Sequence, residues 1–304
     1  MNNKYHLNKG FTLVELMITL VLSLIITYAI AQVLISSNRS SVTSDGMSQS
    51  QETGRFVVSY LASYIREGGL DSTTDNSRST GAFISCTDFP DLIDNNACIT
   101  ESGGGEDQVG IIAAGIHGDR LAIARVAPPG NLVDCTGSTG YREIDDPVTV
   151  PLIPYAVDDF ILNTFWVEFD NATNLSSLMC QGFLLDGTDV FGSSPQQAIA
   201  NGVEAMQLLY GEASDPLPSS SFRNVSRYVP APLDPAAATP NDVQSWDRVY
   251  AVKVAIMTRS LTDVTNNSQL RSYVLANAAP YRMTDEVSRQ VFTTTFVINN
   301  LPKQ

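Results

Sequence analysis

The sequence predicts an α+β protein in which one long N-terminal helix precedes an antiparallel β-sheet head. Three observations carry this. From Leu16 to Ile35 the chain is apolar, interrupted only by Thr19, Ser23, Thr27, Tyr28 and Gln32 and by no charge. That is the length a helix needs to cross a hydrocarbon core of about 30 Å. From Met47 to Ile65 a helical period follows and stops at Gly68-Gly69. Beyond Gly118 the pattern changes to short alternating strands separated by Pro, Gly and Asp.

The helix comes first. Lys4 and Lys9 precede the apolar run, which sets that end in the cytoplasm. A secretory signal has its small-residue cleavage site after the apolar stretch. Here no A-x-A pattern closes the run, and Gly10 stands before it. A cut at Gly10 leaves the apolar helix on the mature chain. Glu15 is a carboxylate one turn inside that helix, where an ionisable group needs a partner. A new α-amino group at Phe11 is the natural one.

The polar stretch from Ser36 to Gln51 reads as part of the same helix, stretched or frayed as it leaves the bilayer. Met47, Gly54, Val58, Leu61 and Ile65 then lie near one face, with Gln49, Glu52, Ser59 and Arg66 turned away. Unbroken from Phe11 to Glu67, the helix would measure about 85 Å.

In the head, residues 71–108 read as a loop-heavy insertion. Asp88, Asp91 and Asp94 lack the order of a calcium loop, and Pro90 breaks a helical presentation. A solvated acidic turn fits better. Asp119–Val126 alternates, Leu121 and Ile123 on one face and Arg120 on the other. A Pro-bounded strand follows around Val148–Val150. Phe160–Asp170 is apolar on both faces, as a central strand is. Met206, Leu208 and Tyr210 alternate with Gln207 in a strand closed by Gly211. Residues 212–245 read as a Pro-, Ser- and Ala-rich surface excursion. Tyr250–Ile256 and Arg289–Val297 complete the strands.

Composition narrows the function. The formal charge is −14, and loss of a leader carrying Lys4 and Lys9 takes it to −16. So acidic a surface repels nucleic acid and anionic headgroups. The cysteines are Cys86, Cys98, Cys135 and Cys180. Their spacings fit no zinc motif, and an even number in an oxidising compartment favours disulfides. Sequence order points to Cys86–Cys98 and Cys135–Cys180, one of three possible pairings. Loop entropy makes these worth about 3 and 4 kcal/mol if unstrained.

Catalytic groups are sparse. With His6 in the leader, His117 is the mature chain's one histidine, and no G-x-S-x-G elbow accompanies it. Asp145-Asp146 and Asp158-Asp159 are neighbours that a strand points to opposite faces. Gly103-Gly104-Gly105 has no Lys-Ser/Thr after it. The sequon Asn171-Ala172-Thr173 carries meaning only in a glycosylating cell. The reading is a protein that is not an enzyme, with no cofactor and no metal-ligating residues assigned; whether calcium binds is left open by the sequence.

The octapeptide Lys9-Gly10-Phe11-Thr12-Leu13-Val14-Glu15-Leu16 resembles the prepilin signature of type IV pilins and type II secretion pseudopilins. Three further strings are similar to stretches of PilW-type minor pilins. The first holds Glu52, Gly54, Arg55 and Phe56. The second runs from Gly202-Val203-Glu204 through Gln207 to Tyr210-Gly211. The third runs from Trp246 to Arg259-Ser260. Arg289–Leu301 resembles the closing strand of the same proteins. The resemblance implies a pilin-like fold. It divides the chain into a leader (1–10), a transmembrane assembly helix (11–38), its amphipathic continuation (39–69) and a periplasmic or extracellular head (70–304). It implies cleavage after Gly10 by prepilin peptidase, N-methylation of Phe11, and pairing of Glu15 with a neighbouring subunit's N-terminus.

The implied role is a minor pilin in a tip complex that primes type IV pilus assembly. Its partners would be other minor pilins, the major pilin and a large tip adhesin, with no nucleic acid. The chain would sit in the inner membrane before assembly and at the pilus tip after it. A J-type pseudopilin of type II secretion shares the N-terminal signature and the size. A pilin adhesin that binds a ligand or surface directly is the alternative from another class.

Overall fold

A computed structural model describes residues 10–69, 82–83, 118–127, 129–143, 152–157, 159–186, 189–213, 224–232, 239–264, 269–298 and 300. The helix α1 runs Leu13–Glu67 without a break, through the polar stretch expected to stretch or fray. The chain forms two compact units, Met1–Asp45 and Gly46–Gln304.

In the second unit, α1 ends where Gly68 N–H donates to Tyr64 O at 2.9 Å and Gly69 turns to φ 71°. Its buried face is Gly46, Ser50, Gly54, Val57, Leu61, Ala62 and Ile65. The expected stripe is thus displaced at its start. Met47 is exposed and Val58 only half-buried. Small residues carry the contact instead, because the strands come too close for anything larger. A Cβ on Gly54 would lie 2.1 Å from the Phe292 ring, and one on Gly46 2.2 Å from Val264. Ser50 is buried because its hydroxyl shares a 2.9 Å hydrogen bond with that of Thr258.

The head strands are β1 (Leu121–Val126), β2 (Gly140–Glu143), β3 (Ile153–Pro154), β4 (Phe160–Asp170), β5 (Leu175–Asp186), β6 (Asp189–Ser193) and β7 (Gln197–Asn201). After them come β8 (Val203–Ala213), β9 (Val225–Val229), β10 (Val249–Arg259), β11 (Arg271–Tyr273), β12 (Tyr281–Met283) and β13 (Arg289–Val297). Among the described residues they make one sheet ordered β1-β4-β5-β6-β2-β3 with β7 on β5, one ordered β13-β10-β8-β9, and the pair β11-β12. Every pairing between named strands is antiparallel. The principal core gathers Val57, Leu61 and Ile65 of α1 with apolar residues of β1, β4, β5, β8 and β10.

β4 is central, lying between β1 and β5. β1 departs from the expected one-sided alternation and is buried on both faces. Its flanking Arg120 lies with its guanidinium 5.6 Å from the Trp166 ring. Burial pushes that guanidinium down to about 10, against the pull of Glu168. Arg125 is buried by donating to Val133 O at 2.6 Å while standing 3.5 Å from Glu67. β8 does not close at Gly211 but continues to Ala213.

The expected surface excursion from 212 is therefore anchored at its root. Glu212 is buried, and its carboxylate accepts hydrogen bonds from Arg227, Arg248 and the N–H groups of Gln244 and Ser245. Residues in the same stretch form β9 and bury Ala231 and Val243.

Cys135 and Cys180 are joined, their Cα atoms 6.2 Å apart. The bond fastens the loop after β1 to β5. Tyr60 of α1 donates its hydroxyl to Cys135 O, and Cys135 N–H donates to Asn163 Oδ1 at 2.7 Å. Beside it, the buried Asp134 carboxylate accepts from Thr136, Ser138 and Tyr155. Cys86, Cys98 and the Val148–Val150 strand lie outside the described residues. The double variant Cys135→Ser with Cys180→Ser should lose about 4 kcal/mol by loop entropy. Thermal melts of oxidised and reduced wild type bracket that loss; coincident melts would show that the bond contributes nothing.

Candidate assembly site

The first unit presents the candidate site. Thr12 caps α1: its carbonyl accepts from Leu16 N–H at 3.2 Å, and its hydroxyl accepts from Glu15 N–H at 3.3 Å. Thr-x-x-Glu is the capping-box order, so one local pattern both starts the helix and fixes Glu15 in its first turn. A carboxylate there is favoured by the positive end of the helix dipole. Gly10 precedes this turn with nothing within 4 Å of where a Cβ would stand. Phe11 is 83% exposed.

Behind Glu15 the helix is apolar on all sides. The residues from Leu13 to Ile35 include sixteen large hydrophobic side chains in the open. The hydroxyls within the run turn back on the helix: Thr19 donates to Leu16 O at 2.9 Å, Ser23 to Leu20 O at 2.9 Å and Thr27 to Ser23 O at 2.8 Å. Each polar group thus keeps a partner without water, as a bilayer requires. By length and composition α1 qualifies to cross a membrane.

The head contains a second arrangement that the sequence does not announce. Arg289 is buried between Glu204 and Asp285. Its Nε pairs with Glu204 Oε2, its Nη2 stands 2.9 Å from Glu204 Oε1, and it donates to both Asp285 oxygens at 2.6 Å. Arg259 reaches Glu204 Oε1 at 3.4 Å. Burial pushes the Asp285 carboxyl up, but the hydrogen bonds and charge of Arg289 outweigh it and hold the group below the usual range. The carboxylates raise the Arg289 guanidinium against its own burial. With each acid claimed by an arginine, the cluster is a lock between β8, β10 and β13.

Among the described residues no group of three or more His, Cys, Asp or Glu side chains could hold a metal. Asp159 caps a turn through Ala156 N–H at 2.7 Å, and Asp170 organises the β4–β5 turn that carries Asn171. His6, His117, Asp88, Asp91, Asp94, Asp145, Asp146, Asp158 and Gly103–Gly105 lie outside the described residues.

Residues 6–29 match the family model for the prokaryotic N-terminal methylation motif. Residues 164–300 match that for Type IV Pilus-assembly protein W. Over residues 164–300 the chain is similar to the PilW family of type IV pilus assembly proteins, and its N-terminus carries the methylation motif. No curated protein and no solved structure matches it. The PilW match begins within β4 and takes in β5–β13, so it contains the whole β13-β10-β8-β9 sheet. PilW-family pilins are typically non-enzymatic structural proteins.

The resemblance strings meet inside that sheet. Glu204, Arg259 and Arg289, one from each of three strings, form the ion cluster. Trp246 packs edge-on to Tyr210, ring centroids 4.9 Å apart. Gly54 of the helix string is the seat of Phe292. The first two contacts join the strands of the sheet to one another and to its flank, and the third seats the helix on it.

Proposed function

We propose that this protein is a PilW-family minor pilin that helps to initiate type IV pilus assembly within a tip complex of minor pilins. It is inserted in the inner membrane with its N-terminus in the cytoplasm, cut after Gly10 by prepilin peptidase and methylated at Phe11. Leader, membrane helix, amphipathic continuation and head then divide the labour as 1–10, 11–38, 39–69 and 70–304. The observation that carries the reading is the methylation motif on an exposed apolar helix whose first turn holds Glu15. An apolar helix with one carboxylate enters a helical bundle only where a cation meets that carboxylate, and a neighbour's N-terminal ammonium supplies it. The other minor pilins, the major pilin and a large tip adhesin are the partners this role requires.

The tip position rests on bulk. A head of more than two hundred residues is a poor repeating unit but is tolerated at a filament's end. A priming subunit is needed in few copies. Deleting the gene should sharply reduce surface pili, and blocking retraction as well should restore some of them. Immunogold against the head should mark pilus ends or the envelope. Uniform labelling along sheared filaments, near the stoichiometry of the major pilin, would overturn the tip role.

A further inference from the structure

β13 is an edge strand: among the described strands it pairs only with β10, in one register from Ala251↔Val297 to Arg259↔Arg289. Ile298 N–H donates to Tyr250 O at 3.0 Å, and Ser260 N–H to Ser288 O at 2.8 Å. Both contacts continue the β10 register with even-numbered residues of this segment. By antiparallel alternation, the even-numbered residues turn their amides to β10 and the odd-numbered ones turn theirs outward. The N–H and C=O groups of Val291, Thr293, Thr295 and Val297 therefore face away from the sheet, and no described residue bonds them.

The side chains of the same four residues are exposed, on the face away from α1. All four are β-branched and uncharged, on a chain whose net charge is −14. Folded proteins blunt such an edge with lysine, proline, a bulge or a cover. Between Gln290 and Val297 there is no charge and no proline, and the register with β10 shows no shift.

We infer that the outer edge of β13 receives a β-strand from a different subunit of the pilus assembly, extending the β13-β10-β8-β9 sheet by one strand. The unpaired amides specify an extended backbone. The neutral row beside them specifies uncharged, β-branched or small apolar side chains at alternate positions, because the nearest cation, Lys253 opposite Thr295 on β10, is turned to the Tyr228 ring 4.4 Å away rather than to the edge. The inference rests on the reading of this chain as an assembly subunit.

A second copy is the competing occupant, because Val291-Phe292-Thr293-Thr294-Thr295-Phe296-Val297 is a palindrome. Antiparallel pairing about Thr294 would set Val291 opposite Val297 and Thr293 opposite Thr295. A two-fold axis through that sheet, however, reverses the stretch of α1 packed on it. The Gly46 ends, through which the two chains enter their heads, would then lie on opposite sides of the pair. The occupant is thus a non-identical chain.

The test places a photo-cross-linking amino acid at Val297 or Val291 of the full chain, in piliated cells, with Thr173 in the β4–β5 turn as the control position. Cross-links from the β13 positions should map to alternate residues of an extended segment in another pilus subunit, and none from Thr173. Thr295→Pro removes one outward N–H and leaves the β10 ladder intact. It should lower that cross-link by about tenfold or more with the purified protein's melting temperature unchanged. Should that variant fold poorly, Thr293→Lys puts a charge on the edge and should have the same effect.

Cross-linking to a second copy of this chain would overturn the inference. So would undiminished cross-linking in the folded edge variants, or none from either site in piliated cells. Label along the filament shaft would refute the tip role while leaving each of these outcomes readable.

Discussion

Glu204→Ala is expected to cost the head about 3–5 kcal/mol, the loss seen when one member of a buried ion pair is removed. The variant leaves Arg289, whose side chain is 1% exposed, with only Asp285 as a partner, itself 38% exposed. It also releases Arg259 from Glu204. For a domain of this size the loss should lower the melting temperature by on the order of 10 °C. Arg289→Ala should be at least as severe, because it strands Glu204 in the sheet. Circular dichroism melts of the full chain in detergent supply the measurement, and a shift within 2 °C or so of wild type would show that the cluster is not a lock.

The same cluster sets an acid limit. A carboxyl held below its ordinary value contributes stability that is complete above the unfolded pKa of about 3.9 and is lost as pH falls through the folded value. The wild-type melting temperature should therefore fall as pH drops below about 4, and Asp285→Asn should flatten that fall.

Glu15→Ala should abolish assembly while leaving the protein in the membrane. Removing the charge lowers the insertion cost of the helix, though by less than the roughly 2.5–3.5 kcal/mol of a charge at the bilayer centre because Glu15 stands in the first turn, so the amount in the membrane fraction should hold or rise. On the proposed role of Glu15, what disappears is the attraction to a neighbour's N-terminus. Glu15→Gln separates the two jobs of this residue, since glutamine can serve a capping box but carries no charge. If charge is what assembly needs, both variants should leave the protein in membranes and out of pili. Normal incorporation of either would show that the carboxylate is dispensable.

The membrane half of α1 was legible because an uncharged apolar run of that length has few other uses. Its packed half was legible as a helix but not in its facing. The buried stripe begins with Gly46, Ser50 and Gly54, and periodicity weighted by apolar side chains cannot count residues buried for being small. The positions of β1, β4, β8, β10 and β13 were readable, as was the two-sided burial of β4; the two-sided burial of β1 and the long strand β5 were not. Arg120 read as turned away from the face of Leu121 and Ile123 until Trp166 accounts for its burial, and nothing in the alternation announced that Arg125 would be buried against Glu67 and loop carbonyls. Glu212 read as the start of a loop, although it is the buried anchor of that loop.

The ion cluster was invisible for a topological reason. Glu204 and Arg289 are 85 positions apart, and only the β8-β10-β13 neighbourhood makes them partners. The outward edge of β13 has the same origin: the strand is plain in sequence, while its place at the rim appears only once the sheet order is known.

The most direct test of the account is the mass of the N-terminal peptide of this protein in a sheared pilus fraction. The chain should begin at N-methylated Phe11, with the apolar helix and Glu15 retained. A peptide still carrying Met1, a cut after Ile35, or absence of the protein from that fraction would contradict it.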